Sequence, residues 1–346
     1  MHRPSKAALL ALVALLTATL ASPAVAQKGG TDAKTVTKIK LAGLDKEKSY
    51  NEEPIPEIEQ QLSDACDLYF KIADPKDNEL PAIKFKAAYL YFKHNHFVSA
   101  AERYFEIIDR WPGDDLSKKA ANLVLDSLNV QKKWDELAFY AEKFRDNDKL
   151  AKGDKKFKDE VQTLLEGASY LSVQTAEKSA RDLKDDAAKQ EALGKVAARF
   201  ASFQERFPSS QYADKALYSA VLIYNQADEL DRGIEAAELM KKEYKKSDLT
   251  QKNDLLLATF YERIADFETA ADLYLYYYKT YTKDEQAPNA LFNAGIYYLG
   301  LGRYDDAIKQ FEKYTKEFSK QADVADVAWR ICELQELKED WKKVAS

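Results

Sequence analysis

A residue position that repeats at a fixed interval constrains the fold of this chain more than any other feature. Gly233, Ala270 and Ala307 follow one another at intervals of 37 residues, and Ala100 and Leu137 are separated by the same interval. A large apolar or aromatic side chain precedes each of them by three positions: Leu230, Phe267, Tyr304, Phe97 and Trp134. A period of ~20–50 residues predicts stacked copies of one supersecondary unit, because each copy needs neighbours to bury its apolar faces.

The repeating unit is clearest between Ala287 and Gln321. Its first half carries an apolar stripe with helical spacing, formed by Leu291, Ala294, Gly295 and Tyr298. Gly302 follows, a residue whose freedom to adopt positive φ suits the end of a helix. A second stripe consists of Tyr304, Ala307, Ile308, Phe311 and Tyr314. The pattern predicts two amphipathic helices joined by a tight turn, with small residues where the helices approach most closely.

Other residues keep the same register along the chain. They are the small residues Ala88, Ala258 and Gly295, the tyrosines Tyr91, Tyr224, Tyr261 and Tyr298, and the closing prolines Pro112 and Pro208. With these residues the sequence from 55 to 346 resembles the tetratricopeptide repeat, whose usual length of ~34 residues is shorter. The run Arg206–Tyr218 is similar to the longer-repeat bacterial envelope branch, which includes the β-barrel assembly lipoprotein and the Tol-Pal periplasmic coordinator. The resemblance implies an all-α fold, a right-handed superhelical α-solenoid of helix hairpins with a period of about 37 residues.

Residues 1–26 have the features of a secretory signal peptide. Arg3 and Lys6 supply a positive start, and an apolar run follows from Ala7 to Leu20. The sequence Ser-Pro-Ala-Val-Ala then ends in an A-x-A-like cleavage site before Gln27. The apolar run is shorter than the ~20 residues that span a bilayer. We therefore expect export to the periplasm with cleavage after residue 26, and contact with the membrane that is peripheral at most.

The rest of the chain divides into four predicted regions. They are a flexible lead-in at 27–53, a cap helix with repeats one and two at 54–147, an irregular long-helix repeat at 148–209, and the C-terminal repeats at 210–346. From Leu137 to Val196 the interval is 59 residues, 22 more than one period, which makes 148–209 a candidate hinge as well. Val324–Leu337 is predicted to be one more first helix, and Trp341 stands where its second helix should begin. The last repeat is therefore expected to be incomplete, either because the chain is truncated there or because a partner completes it.

The predicted cap helix carries its own apolar stripe. The residues of this stripe are Ile58, Leu62, Ala65, Leu68, Tyr69 and Ile72. Terminal units of a solenoid must hide the apolar surface of the neighbouring repeat. The stripe is therefore predicted to face inward and to cover the first repeat.

Composition and motif content argue against several classes of function. Without residues 1–26 the chain has 50 basic and 58 acidic residues, a formal charge of −8, whereas nucleic-acid binding calls for a basic face. Cys66 and Cys332 are too far apart in a solenoid to form a disulfide, and each is interpreted as a buried small apolar residue. His94 and His96 flank a turn without a third ligand and are interpreted as solvent-exposed. With no catalytic motif present, we expect a non-enzyme without cofactor or metal.

Interaction surfaces are then the remaining candidates. In the family that the sequence resembles, first-helix residues line a concave groove, and the matching positions here are Phe85, Tyr89, Phe92, Lys93, Asn122, Asp126, Asn129, Tyr218, Leu222, Asn225, Leu255, Thr259, Glu262, Arg263, Phe292, Ile296 and Leu299. Aromatic anchors of this kind suit extended or helical peptides. Packing between adjacent repeats explains the same aromatics equally well.

A second candidate surface is a tyrosine patch on the convex side. The run from Asp272 to Tyr281 contains five tyrosines, and Tyr276, Tyr278 and Tyr281 cannot share one direction at 3.6 residues per turn. Some of them should therefore be exposed, where tyrosine favours protein contacts. Ordinary packing between repeats is the alternative.

The leading functional hypothesis is a periplasmic, non-enzymatic scaffold that binds other envelope proteins, in outer-membrane assembly or in a trans-envelope motility or transport machine. One alternative is a solenoid that binds glycans or peptidoglycan, since aromatic grooves also stack sugars. Another is a cytoplasmic adaptor whose apolar start is not a signal. The sequence does not decide the oligomeric state.

Overall fold

In a computed structural model that describes residues 49–338, the regular structure is entirely helical. Within this range there are fifteen α-helices and no strand. The helices are α1 (Glu57–Ile72), α2 (Leu80–Lys93), α3 (Phe97–Arg110), α4 (Asp115–Val130), α5 (Trp134–Arg145), α6 (Asp148–Ala151), α7 (Lys155–Arg181), α8 (Asp186–Arg206), α9 (Ala213–Gln226), α10 (Leu230–Glu243), α11 (Thr250–Arg263), α12 (Phe267–Thr280), α13 (Ala287–Gly300), α14 (Tyr304–Glu317) and α15 (Val324–Leu337). The predicted helix at Val324–Leu337 is confirmed with the same bounds.

Three predictions concern residues that lie wholly or mostly outside this range. The signal peptide at 1–26 and most of the predicted lead-in precede residue 49. The second helix expected to begin at Trp341 follows residue 338.

The chain divides between Ser179 and Ala180 into two compact units. We call the described parts of these units the N-terminal unit, residues 49–179, and the C-terminal unit, residues 180–338. The division falls in the last turn of α7 and lies within the segment 148–209.

Turn and cap residues set the ends of many helices. Asp185 caps α8 by accepting a hydrogen bond from the Ala188 amide at 2.7 Å, a contact that favours Asp at the start of a helix. Proline stands in the first turn of α2 and of α13, where the amide that it lacks has no intrahelical acceptor. Between the paired helices one residue adopts positive φ. These residues are Asn95, Lys132, Asp228, Ala265 and Gly302, and the last of them was predicted to do so.

In the C-terminal unit each helix from α8 to α15 packs on the next in chain order. Two glycines allow close approach of aromatic rings. A Cβ atom at Gly233 would lie 2.4 Å from the ring of Phe260, and one at Gly295 would lie 2.5 Å from the ring of Phe311. These glycines therefore act as the predicted small residues at points of close helix contact.

In the N-terminal unit α1 to α5 also pack in chain order. Its core is aromatic at the first hairpin. The ring of Tyr104 is fully buried, with its centroid 5.4 Å from that of Phe85 and 6.3 Å from that of Phe92. Over the described residues, the structure is thus a set of sequentially packed helices within each unit, an architecture consistent with an α-solenoid.

Candidate interaction surfaces

The predicted groove residues differ widely in exposure. Tyr89, Lys93, Asn122 and Arg263 are exposed, whereas Phe85, Leu222, Asn225, Leu255, Thr259, Glu262, Phe292, Ile296 and Leu299 are half-buried. Four others, Phe92, Asp126, Asn129 and Tyr218, are less than a tenth exposed. The expectation that those four line an open groove therefore does not match the structure.

Packing explains the buried positions. The ring of Phe92 lies edge-on against Phe97, with centroids 5.4 Å apart, so it contributes to the core of the first hairpin. On α4 every residue from Leu123 to Asn129 is buried. A helix enclosed on all sides buries its polar residues together with its apolar ones, and Asp126 and Asn129 lie in that stretch.

Two predicted groove residues are brought together by the fold. Nη1 of Arg263 on α11 donates to Oδ1 of Asn225 on α9 at 2.6 Å, and Nη2 donates to Asp228. One hairpin further on, Nη1 of Arg303 donates to Oε1 of Glu268 at 3.2 Å. Arg263 therefore links neighbouring hairpins, and its guanidinium is already engaged.

The predicted tyrosine patch reduces to a single well-exposed ring. Tyr276 is 42% exposed, and Nζ of Lys241 lies 3.6 Å from its ring centroid. Tyr278 is buried, contrary to its assignment to the patch, and its hydroxyl donates to Glu317. The half-buried Tyr281 donates to Oδ2 of Asp254 at 2.6 Å. Both rings pack inward because their hydroxyl groups find carboxylate acceptors at the edge of the core.

The turn between α2 and α3 holds the segment that precedes α1. Nε2 of His94 is 2.7 Å from Oε2 of Glu59, and Nε2 of His96 is 2.8 Å from the Glu53 carbonyl oxygen. The Glu53 amide donates to the His94 carbonyl oxygen at 2.9 Å. His94 is buried and His96 half-buried, so the expectation of two solvent-exposed histidines is wrong. The chain is already packed at residue 53, where the flexible lead-in was predicted to end.

The apolar stripe of α1 faces away from the protein, which reverses the prediction for the cap helix. Ile58 is 72% exposed and Leu68 is 60% exposed, and Leu62, Ala65 and Tyr69 are exposed as well. No other described helix presents as many exposed large apolar side chains. We call Ile58, Leu62, Ala65, Leu68 and Tyr69 the outer face of α1.

Ionic and polar contacts hold the opposite side of α1. Nζ of Lys93 is 2.7 Å from Oε1 of Glu59, and Nη1 of Arg103 is 2.8 Å from both oxygens of Asp67. The hydrogen bonds from Lys93 and then from His94 hold the pKa of the Glu59 carboxyl below its usual range. The side of α1 that packs on its neighbours is therefore the charged side and not the apolar stripe.

An aromatic ring completes the contact of α1. Nζ of Lys84 lies 4.3 Å from the ring centroid of Phe70, and the Arg110 guanidinium lies 4.7 Å from it. Trp111 packs edge-on against the same ring at 6.1 Å. Phe70 is thus enclosed by two cations and an indole. The sequence contains no specific signal for this arrangement, because charged residues such as Glu59 and Asp67 opposite an apolar stripe are the usual pattern of a solvent-exposed face.

Three further features of residues 49–338 bear on chemistry: their two cysteines, one surface depression and their possible metal ligands. Cys66 and Cys332 are free thiols, half-buried rather than buried. An open depression of about 580 Å³ is lined by Lys155, Lys156, Asp159, Glu160 and Thr163, all from the first turns of α7. Residues 49–338 contain no cluster of three or more metal-ligating side chains. Among the described helices, none has the length and apolar character needed to cross a bilayer.

No protein-family model matches the sequence, and no curated protein is significantly similar to it.

Proposed function

We propose that this protein is a non-enzymatic scaffold that holds other proteins together in the bacterial periplasm, within a cell-envelope complex. Its body is a right-handed superhelical solenoid of tetratricopeptide-like hairpins with a period of 37 residues. In support, the first helices α9, α11, α13 and α15 begin 37 residues apart, at Ala213, Thr250, Ala287 and Val324. The second helices α10, α12 and α14 begin with the same spacing. The signal-like sequence at 1–26 supports the location.

The observation that carries the proposal is the exposure of large apolar side chains on helices that are otherwise well packed. Tyr89 and Tyr276 are both more than a third exposed, although the helices that carry them bury most of their apolar residues. Tyrosine is among the residue types that are enriched at protein interfaces. The envelope role, in outer-membrane assembly or a trans-envelope machine, follows from the resemblance alone.

Affinity capture tests the scaffold proposal. The full-length protein, tagged at its C-terminus, is expressed in its native host and recovered from detergent-solubilised envelopes. We expect a stable partner that is lost, wholly or in part, with Tyr89→Ala or Tyr276→Ala. Val98→Ala is the matched control, since Val98 is also exposed but lies outside both surfaces. If neither tyrosine substitution changes what is recovered while circular dichroism shows intact helices, these surfaces do not bind the partner.

N-terminal sequencing of the protein from the periplasmic fraction tests its location. Export with cleavage predicts a mature chain that starts at Gln27. A chain that starts at Met1 and fractionates with the cytoplasm would instead support an adaptor inside the cell.

A further inference from the structure

The outer face of α1 has a distinct electrostatic border. The exposed residues beside its apolar side chains are Glu57, Gln61 and Asp64, and the only exposed cation on the helix is Lys71, in the last turn. The face therefore suits an occupant that combines apolar side chains with positive charge.

Two kinds of occupant fit this border poorly. A second copy of the chain, packed α1 against α1, would bring a second face bordered by Glu57 and Asp64 against the first, and like charges at an interface cost free energy. An anionic lipid surface meets the same repulsion.

Contacts of Tyr50 and Glu53 fix the position of the chain just before α1. The ring of Tyr50 packs edge-on against Phe97 at 6.1 Å, and the Glu53 amide is bonded to the His94 carbonyl oxygen. Since His94 also contacts Glu59, the preceding chain approaches α1 beside its first turn.

The sequence before this point contains a segment of matching chemistry. Residues 34–44, Lys-Thr-Val-Thr-Lys-Ile-Lys-Leu-Ala-Gly-Leu, include Lys34, Lys38 and Lys40 and no acidic residue. Their apolar residues are Val36, Ile39, Leu41, Ala42 and Leu44. The five residues that separate Leu44 from Tyr50 can span roughly 17 Å, and α1 itself is about 24 Å long. A helix is about 10–12 Å across with its side chains, so the linker is long enough to pass from the packed side of α1 to its outer face.

We propose that residues 34–44 of the same chain bind the outer face of α1, with their lysines beside Glu57 and Asp64 and their apolar side chains against the exposed stripe. Tethering strengthens such a contact, because a short linker gives an effective concentration in the ~mM range. The stripe is then covered in cis, and an outside protein must displace the segment to use it. This inference does not depend on the proposed scaffold function.

Chemical labelling of a single thiol in the full-length chain tests the proposal. Cys66→Ser and Cys332→Ser remove the native thiols, and Ala65→Cys places one thiol in the middle of the outer face. An uncharged maleimide reports its accessibility. Charge reversal with Lys34→Glu, Lys38→Glu and Lys40→Glu should raise the labelling rate by about tenfold. The bound segment protects the thiol by about this factor if its effective concentration is ~1 mM and the Kd of the untethered contact is ~0.1 mM.

Lys46→Glu with Lys48→Glu is the matched control, because it reverses charge in the same stretch of chain but outside the segment. It should leave the labelling rate unchanged. Equal rates in all variants with α1 folded by circular dichroism would overturn the proposal, and so would an equal rise in the control. A labelling rate that falls as protein concentration rises would assign the face to a second copy and overturn it as well.

Discussion

At the scale of single residues, the turns inside the hairpins show how tolerant this architecture is of local strain. Five of these turns contain a residue with positive φ. The five residues are 37 positions apart within each unit, at Asn95 and Lys132 and then at Asp228, Ala265 and Gly302. Glycine adopts this conformation freely, and Asn and Asp do so more readily than other residues. Ala265, at φ 61°, has neither advantage. Packing of the flanking helices therefore imposes the turn even where the residue disfavours it.

The substitution Ala265→Gly is expected to stabilise the protein. Left-handed backbone costs an alanine roughly 1–2 kcal/mol, and the greater entropy of glycine in the unfolded chain offsets part of the gain, which leaves about 0.5–1 kcal/mol. Urea unfolding followed by circular dichroism measures the change. The converse substitution, Gly302→Ala, is the matched control, because its added Cβ meets no atom within 4 Å and only backbone strain acts. A midpoint that falls for Ala265→Gly would contradict the argument.

At the scale of single elements, α1 shows that amphipathic pattern does not by itself decide which side of a helix packs. Its apolar stripe predicted one orientation, whereas in the structure the side that carries Glu59 and Asp67 packs, through ion pairs. Contacts of this kind depend on pH and salt, unlike the apolar contacts that hold α13 and α14. Among the helices of its unit, α1 is therefore expected to be sensitive to solution conditions.

The contribution of Glu59 should disappear in acid. Its folded-state pKa is lowered, so its contribution is present above the unfolded value of 4.5 and is lost as pH falls through the lower folded value. Glu59→Gln should lower the thermal midpoint at about pH 7 and have much less effect at about pH 3. Glu191→Gln is the matched control, since the exposed pair of Glu191 with Lys195 contributes little at either pH. A Glu59→Gln effect that is equal at both pH values would contradict ionic docking.

At the scale of the whole molecule, tyrosine hydroxyls bonded to carboxylates recur through the C-terminal unit. Several connect different helices. Tyr298 on α13 donates to Asp272 on α12 at 2.7 Å, and Tyr281 donates to Asp254 on α11 at 2.6 Å. Burial first, and the adjacent carboxylate second, raise the pKa of Tyr261 to about 12. The pKa of Tyr277 is also raised to about 12, mainly by burial. These side chains stabilise the unit only while they are neutral.

Strong alkali should therefore unfold the C-terminal unit as these tyrosines ionise. A raised folded-state pKa means that the stabilisation is complete below the unfolded value of 10 and is lost as pH rises from there toward about 12. The absorbance of tyrosinate should appear at a higher pH in the native protein than in urea, where the midpoint should lie near pH 10. Tyr277→Phe should reduce the pH dependence of the unfolding midpoint over this range. Native and urea titrations that coincide would contradict the argument.

In residues 49–338 the sequence by itself determined the helical class, the helix at Val324–Leu337 and the turn at Gly302. It could do so because each of these depends on local spacing: apolar residues that form one face of a helix, a residue that tolerates positive φ, and small residues at contacts. Gly295 and Gly302 illustrate this, since their roles follow from the positions of their neighbours along the chain.

Only the tertiary structure decided which faces are exposed. Asp126 and Asn129 are buried because several helices enclose them. The rings of Tyr278 and Tyr281 point inward, and their hydroxyl groups bind carboxylates at least 25 residues away along the chain. The outward stripe of α1 likewise reflects contacts with distant residues. Arg103 lies 36 residues from the Asp67 that it binds. The free energy of such a contact depends on which charges and rings the fold brings together, and the spacing of residues along one helix contains no information about that.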